Sequence, residues 1–155
     1  MTAFGQASSG RASRRRTVAS WALVIVWASF IFFMSAHTGS DFDQGTDLIA
    51  QVKQWLNGIQ AALFGPDVDV ISSIAHFCEY AVFGALLQNA LRLNIDARRA
   101  VAIAVICASL YGVTDEIHQI FVPGRACDPI DWIVDTLGAT LGACAWWLIG
   151  KRREA

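Results

Sequence analysis

The sequence is short of charged residues. They make up 16% of its 155 positions, whereas 55% are hydrophobic. A soluble domain normally carries about 25% charged residues. The mean hydropathy is +0.44, and six tryptophans are present. These values exclude an ordinary soluble domain and favour a membrane protein.

Signatures of common catalytic and metal sites are also missing. The four cysteines form no C-x-x-C pair, so neither a zinc site nor a redox pair is indicated. Neither H-E-x-x-H nor a serine elbow occurs. The arginines flank apolar segments instead of forming a nucleic-acid-binding patch. The sequence therefore predicts no metal, no cofactor and no nucleic-acid partner.

Four apolar segments approach the length of roughly 20 residues that a helix needs to cross hydrocarbon. They cover about residues 17–36, 70–91, 98–119 and 131–150, and the core of the first carries no charge. A buried soluble bundle is the alternative, but its helices would show polar faces, and residues 99–112 show none. We predict an all-α membrane protein with four transmembrane helices.

The charges between these segments predict an orientation, because Lys and Arg mark cytoplasmic loops. Three connections or ends are basic: Arg11, Arg14, Arg15 and Arg16; Arg92, Arg98 and Arg99; and Lys151, Arg152 and Arg153. The other two hold only Lys53 and Arg125 against Asp41, Asp43, Asp47, Asp67, Asp69 and Asp128. The alternation predicts a multi-pass protein of the cell membrane with both termini in the cytoplasm.

The first segment also raises the question of a cleaved signal peptide. Its apolar run is longer than a usual signal core, and Met34-Ser35-Ala36 is a poor cleavage site. An uncleaved signal-anchor helix fits better. We therefore expect residues 1–16 to be a disordered cytoplasmic tail, 17–150 to be a single four-helix membrane domain, and 151–155 to be a cytoplasmic tail.

The first outer loop has a helical pattern of its own. Leu48, Val52, Trp55, Ile59 and Leu63 recur at helical spacing. Such an amphipathic helix either lies in the outer membrane interface or packs on top of the bundle. In both cases it would cover a site at the outer helix ends.

Polar side chains occur inside the second and third segments. His76 and Glu79 lie three residues apart, as do Asp115 and His118, and Glu116 and Gln119 lie beside the second pair. Both groups fall at the outer ends of their helices under the predicted topology. Ionisable residues at membrane depth usually mark function. The candidate catalytic residues are His76, Glu79, Asp115, Glu116 and His118.

The fourth segment begins at the same outer face. Asp128-Pro129-Ile130-Asp131 is typical of a capped helix start, so capping alone is one interpretation of Asp128 and Asp131. Asp135 lies one turn deeper, and capping does not explain it. Arg125 either neutralises the surrounding acidic side chains or binds a phosphate or carboxylate group of a ligand. The candidate binding residues are Arg125, Gln119, Asp128, Asp131 and Asp135.

The same helix carries Gly138 and Gly142 beside Ala139 and Ala143. This small-xxx-small spacing is typical of close contact between membrane helices. We expect a packing role for these residues and assign them no chemistry.

These motifs resemble the VanZ-like family of small bacterial membrane proteins. The resemblance is carried by the runs His76-Phe77-x-Glu79-Tyr80, Asp115-Glu116-x-His118-Gln119-x-Phe121-x-Pro123-Gly124-Arg125 and Asp131-Trp132-x-x-Asp135-Thr136-x-Gly138. Family members often have Lys where this chain has Ser73 and Asn where it has Asp135. The resemblance implies an association with low-level resistance to the glycopeptide teicoplanin.

Three functional hypotheses follow. The polar residues form an outward-facing site that binds an envelope component, such as a lipid headgroup, a cell-wall precursor or a glycopeptide. Alternatively, they belong to a membrane-embedded enzyme that uses His/carboxylate acid–base or metal chemistry on an envelope lipid or glycan. The third hypothesis is a purely structural polar network. Interhelical polar contacts average only about 0.6 kcal/mol, which is a weak reason to bury so many.

Overall fold

The described part of the chain is helical throughout its long elements. The computed structural model describes residues 3–36, 51, 55, 58–60, 62, 70–123, 125 and 127–154. Within them lie four long helices: α1 (Ala3–Ser35), α2 (Val70–Leu91), α3 (Ala97–Gln119) and α4 (Pro129–Glu154). The predicted all-α class is confirmed for these residues.

Three helices contain segments long and apolar enough to cross a membrane: Ser13–Ser35, Ala97–Gln119 and Pro129–Arg152. They correspond to the first, third and fourth predicted segments. α2 is a helix of 22 residues but is not among those segments. It carries the polar residues His76, Glu79, Gln88 and Asn89 within an otherwise apolar run. A fourth crossing therefore stays a prediction.

Two sequence-based predictions concern the remaining parts of the chain. α1 begins at Ala3, so its backbone is helical through most of the expected cytoplasmic tail. The cytoplasmic position of that tail stays a prediction. Most of the expected amphipathic helix at 48–63 lies outside the described residues. Within it, positions 51, 55, 58–60 and 62 are helical, and Trp55 is exposed.

Aspartate side chains cap the starts of α3 and α4. Oδ1 of Asp96 accepts hydrogen bonds from the backbone N–H groups of Arg98 and Arg99 at 3.0 and 3.2 Å. Oδ1 of Asp128 accepts one from the N–H of Ile130 at 2.8 Å. Each satisfies N–H groups that a helix start leaves unpaired. Because the connections are short, the start of α2, the end of α3 and the start of α4 share one end of the bundle.

The most extensive packing joins α2 to α4. A methyl group added to Gly138 would collide with the carbonyl of Phe77, and one added to Gly142 with the carbonyl of Ala81. The buried Ala139 and Ala143 continue the contact. The predicted packing role of this small-residue stripe is confirmed. These residues let the two backbones touch, which large side chains would prevent.

α3 approaches the bundle through a second small-residue stripe. Ala100, Ala104, Ala108 and Gly112 are buried at four-residue spacing, and the same face ends in buried polar residues at the last turn. α1 lies mainly against α2 and less against α3. Two interhelical hydrogen bonds hold it: Nε1 of Trp27 donates to the carbonyl of Glu79 at 2.9 Å, and the hydroxyl of Tyr111 donates to the carbonyl of Ala28 at 2.7 Å.

Replacing Gly142 by Leu is expected to lower stability by about 3 kcal/mol, because the side chain meets the backbone of α2, which cannot rotate away. Thermal unfolding of the detergent-solubilised protein measures the loss. Ala145→Leu is the matched control, since Ala145 is exposed on the same helix and should change stability little. An equal loss of stability in the Gly142→Leu and Ala145→Leu variants would contradict the close α2–α4 contact.

Candidate functional site

The shared helix ends bring the polar residues of three helices together. We call this group the polar cluster. It contains six residues that are at most 7% exposed, namely His76 and Tyr80 from α2, Asp115, Glu116 and Gln119 from α3, and Asp135 from α4. It also contains the half-buried Glu79 of α2. Their positions follow from helical spacing and from the antiparallel order of the helices. The expected meeting of imidazole and carboxylates at one depth is therefore seen in the structure.

α2 and α4 meet through two polar pairs, one turn apart. Nδ1 of His76 lies 3.2 Å from Oδ1 of Asp135, close enough for a buried hydrogen bond and ion pair. Nearer the helix ends, the hydroxyl of Ser73 donates to Oδ1 of Asp131 at 3.3 Å. Ser73 and Asp135 are the two departures from the resembled pattern, and they lie in adjacent pairs of one helix contact.

α3 contributes the carboxylate of Asp115 at the centre of the cluster. Oδ2 of Asp115 accepts a hydrogen bond from Nε2 of Gln119 at 3.4 Å, one turn away. Ser35, at the end of α1, is buried near the same carboxylate but forms no hydrogen bond with it. Asp115 therefore lies where the ends of α1 and α3 meet.

Tyr80 lies near the two buried aspartates. Its side chain is fully buried, and its hydroxyl lies within electrostatic range of Asp115 and Asp135. A methyl group built on Gly112 would lie 3.4 Å from Oδ2 of Asp135 and 3.6 Å from Cε1 of Tyr80. Both distances are ordinary van der Waals contacts, so Gly112 marks the place where α3 lies against Tyr80 of α2 and Asp135 of α4.

Several buried polar atoms of this region have no hydrogen-bond partner among the residues that the structure describes. They are the Ser35 and Tyr80 hydroxyls, Oδ1 of Asp115, Oε1 of Glu116, Nε2 of His118 and Oδ2 of Asp135. Leaving one such atom unpaired costs about 1–3 kcal/mol. Three of the six are carboxylate oxygens, which only accept hydrogen bonds when ionised.

Two candidate residues have clear structural roles. Oε2 of Glu116 accepts a hydrogen bond from the backbone N–H of Asp128 at 2.7 Å and so ties the end of α3 to the start of α4. Asp128 is exposed and caps α4. This geometry agrees with the capping interpretation of Asp128.

The remaining candidates lie at the edge of the cluster. The ring of His118 stacks on Phe32 of α1, with centroids 4.3 Å apart. Glu79 and Arg125 are half-buried, and the guanidinium lies within electrostatic range of the carboxylate. The structure therefore brings His118 toward α1 and Arg125 toward α2.

Sequence reasoning did not select Tyr80 and Ser35 as site residues. Tyr80 follows His76 by one helical turn, so the i, i+4 spacing was a signal that could have included it. Ser35 carries no comparable signal, because only the approach of α1 to α3 places it beside Asp115. Within the described ranges, no three His, Cys, Asp or Glu side chains form a group that could hold a metal ion.

Comparison with known proteins supports the resemblance noted from the motifs. A family model described as VanZ/LLP1 matches residues 20–150, which includes every residue of the polar cluster. The comparisons find no match among curated proteins and none among solved structures.

Replacing Asp135 by Ala is expected to lower stability by about 1–2 kcal/mol, because it leaves the buried ring of His76 without its partner. Asp135→Asn keeps the size and an acceptor oxygen and should lose less than half as much. Thermal unfolding in detergent compares the variants. Wild-type stability of Asp135→Ala would show that the His76–Asp135 contact contributes nothing to folding.

Proposed function

The chain belongs to the VanZ/LLP1 family, and we propose that its polar cluster binds the headgroup of a cell-envelope component at the outer face of the cell membrane. The observation that carries this proposal is the set of buried carboxylate oxygens on Asp115, Glu116 and Asp135 that have no partner among the described residues. A ligand that donates hydrogen bonds to these oxygens would remove the cost of leaving them unpaired.

The chemistry of the unpartnered atoms selects the kind of ligand. Carboxylate oxygens accept hydrogen bonds, so they favour hydroxyl or ammonium groups and repel an isolated phosphate. Sugar hydroxyls and amines occur in lipid headgroups, cell-wall precursors and glycopeptides. All three classes therefore offer donors of the required kind.

Arg125 adds a complementary group at the edge of the cluster. Its planar guanidinium suits a phosphate or carboxylate group, which it contacts through two parallel hydrogen bonds. A ligand that carries both donor groups and one anionic group would fit the cluster and Arg125 together. We infer that such a headgroup lies with its hydroxyl or ammonium groups toward Asp115 and Asp135.

The charge distribution supports an outward-facing site. Basic residues lie at the end where α2 stops and α3 starts, whereas the polar cluster lies at the opposite end. Because basic loops stay in the cytoplasm, the cluster would face outward with both termini inside. Binding at this face would contribute to envelope homeostasis or to tolerance of glycopeptides such as teicoplanin.

A second candidate function is enzymatic. The observation that favours it is the 3.2 Å contact between His76 and Asp135. A carboxylate on one ring nitrogen orients the imidazole, which then acts as a general acid or base through the other nitrogen. The substrate would be an envelope lipid or glycan. Turnover of such a substrate that His76→Asn abolishes would favour this candidate over simple binding.

Asp115→Asn is expected to weaken ligand binding about tenfold, because the amide replaces a charged acceptor while its size is unchanged. The probes are a lipid-linked disaccharide cell-wall precursor, teicoplanin and a short-chain phosphatidylethanolamine, each titrated into purified protein with tryptophan fluorescence as the readout. Asp128→Asn is the matched control, since Asp128 is exposed and caps α4. Arg125→Ala should weaken binding of the same probe while the protein still folds.

Two results would contradict the proposed binding site. One is equal affinity of wild type and Asp115→Asn for every probe that binds. The other is an equal loss of affinity in Asp115→Asn and Asp128→Asn, which would indicate a general effect of surface charge.

Cys127 provides a test of the orientation. It is a free, exposed thiol in the connection before α4. A membrane-impermeant maleimide is expected to label it from outside in intact cells, and Cys127→Ser should abolish that labelling. Lys151→Cys in the Cys127→Ser background should label only after the membrane is opened. The reverse pattern would place the polar cluster on the cytoplasmic side.

A further inference from the structure

A second polar site lies at the end of the bundle opposite the polar cluster. A cavity of about 480 Å³ opens between the end of α2, the turn into α3 and the last turns of α4. The residues of its lining that matter here are Gln88, Arg92, Asp96, Arg98, Trp147 and Lys151. A volume of this size is typical of sites for small ligands or headgroups.

The lining is basic. It contains three cations, Arg92, Arg98 and Lys151, against one carboxylate. That carboxylate belongs to Asp96, and its Oδ1 accepts the hydrogen bonds that cap α3. The cavity therefore holds an excess of positive charge at this end of the bundle.

Aromatic rings of α4 hold these cations in place. Arg92 lies over the ring of Trp146 at 5.9 Å, and Arg98 and Lys151 lie over Trp147 at 6.0 and 5.9 Å. Nε1 of Trp146 donates to Oδ1 of Asn89 at 3.2 Å, which fixes that indole against α2. The cation–π contacts orient long side chains that would otherwise move freely.

Gln88 forms the deep part of the cavity. It precedes Arg92 by one helical turn and is fully buried. Neither its Nε2 nor its Oε1 has a hydrogen-bond partner among the described residues. A buried amide without partners is costly, and here it lines a cavity whose charged groups are three cations and one carboxylate. An anion in that cavity would accept a hydrogen bond from Nε2 of Gln88.

We propose that this cavity binds the phosphate group of an anionic phospholipid. Phosphate oxygens would pair with Arg92, Arg98 and Lys151 and accept from Gln88. The source is a lipid because Leu93, which lines the cavity, and Leu148 and Ile149 beside it are 41%, 50% and 44% exposed. They provide an apolar surface for acyl chains next to the charged group. Basic pockets between membrane helices bind anionic headgroups in this way.

This site is independent of the proposed function of the polar cluster. Under the orientation that the basic loops predict, it takes its lipid from the cytoplasmic leaflet, where anionic lipids attract basic residues. The lipid would hold the ends of α2 and α4 and the start of α3 together at the inner face.

Lipid binding is tested on the full chain in detergent by native mass spectrometry, with phosphatidylglycerol, phosphatidylcholine and inorganic phosphate as probes. Wild type is expected to retain phosphatidylglycerol in preference to phosphatidylcholine. Arg98→Gln and Lys151→Gln should each weaken that binding about fivefold. Arg99→Gln is the matched control, because Arg99 is the exposed neighbour of Arg98 and carries the same charge but does not line the cavity.

Gln88→Leu provides a second, independent variant. It removes the buried amide at similar volume, so it should weaken phosphatidylglycerol binding without lowering thermal stability. Three results would overturn the proposal. The first is equal weakening of phosphatidylglycerol binding by Arg99→Gln and Arg98→Gln, and the second is equal retention of phosphatidylcholine and phosphatidylglycerol. The third is displacement of the lipid by millimolar inorganic phosphate that itself binds, which would indicate a site for a free anion.

Discussion

The close contact between α2 and α4 is the constraint on which the rest of the structure depends. Gly138 and Gly142 let the backbone of α4 lie against the carbonyls of Phe77 and Ala81. This contact sets the register of the two helices and places Asp135 opposite His76 and Asp131 opposite Ser73. A larger side chain at either glycine would separate the helices, and both polar pairs would lose their geometry.

The same contact explains how α2 accommodates several polar side chains within an apolar helix. Because α1, α3 and α4 all pack on it, its polar side chains face protein instead of lipid, where each would be far more costly. α2 is therefore the central helix of the bundle.

The two ends of the bundle have opposite electrostatic character. At one end, carboxylates surround His76, and several of their oxygens have no partner within the part of the chain that the structure describes. At the other end, arginines and a lysine surround Gln88. The acidic end suits ligands with hydroxyl or ammonium groups, and the basic end suits phosphate. A single helix, α2, contributes residues to both ends.

The sequence by itself determined the family, the positions of the helices and the end of the bundle at which His76, Asp115 and Asp135 lie. These features depend on local properties, namely hydropathy, helical spacing and capping residues such as Asp128. Only the tertiary structure decided which side chains pair. Four features depend on the distances and rotations between helices: the His76–Asp135 contact, the burial of Tyr80, the hydrogen bond from Asp128 to Glu116 and the cavity at Gln88. Those are set by packing between residues far apart in the chain, which no local pattern encodes.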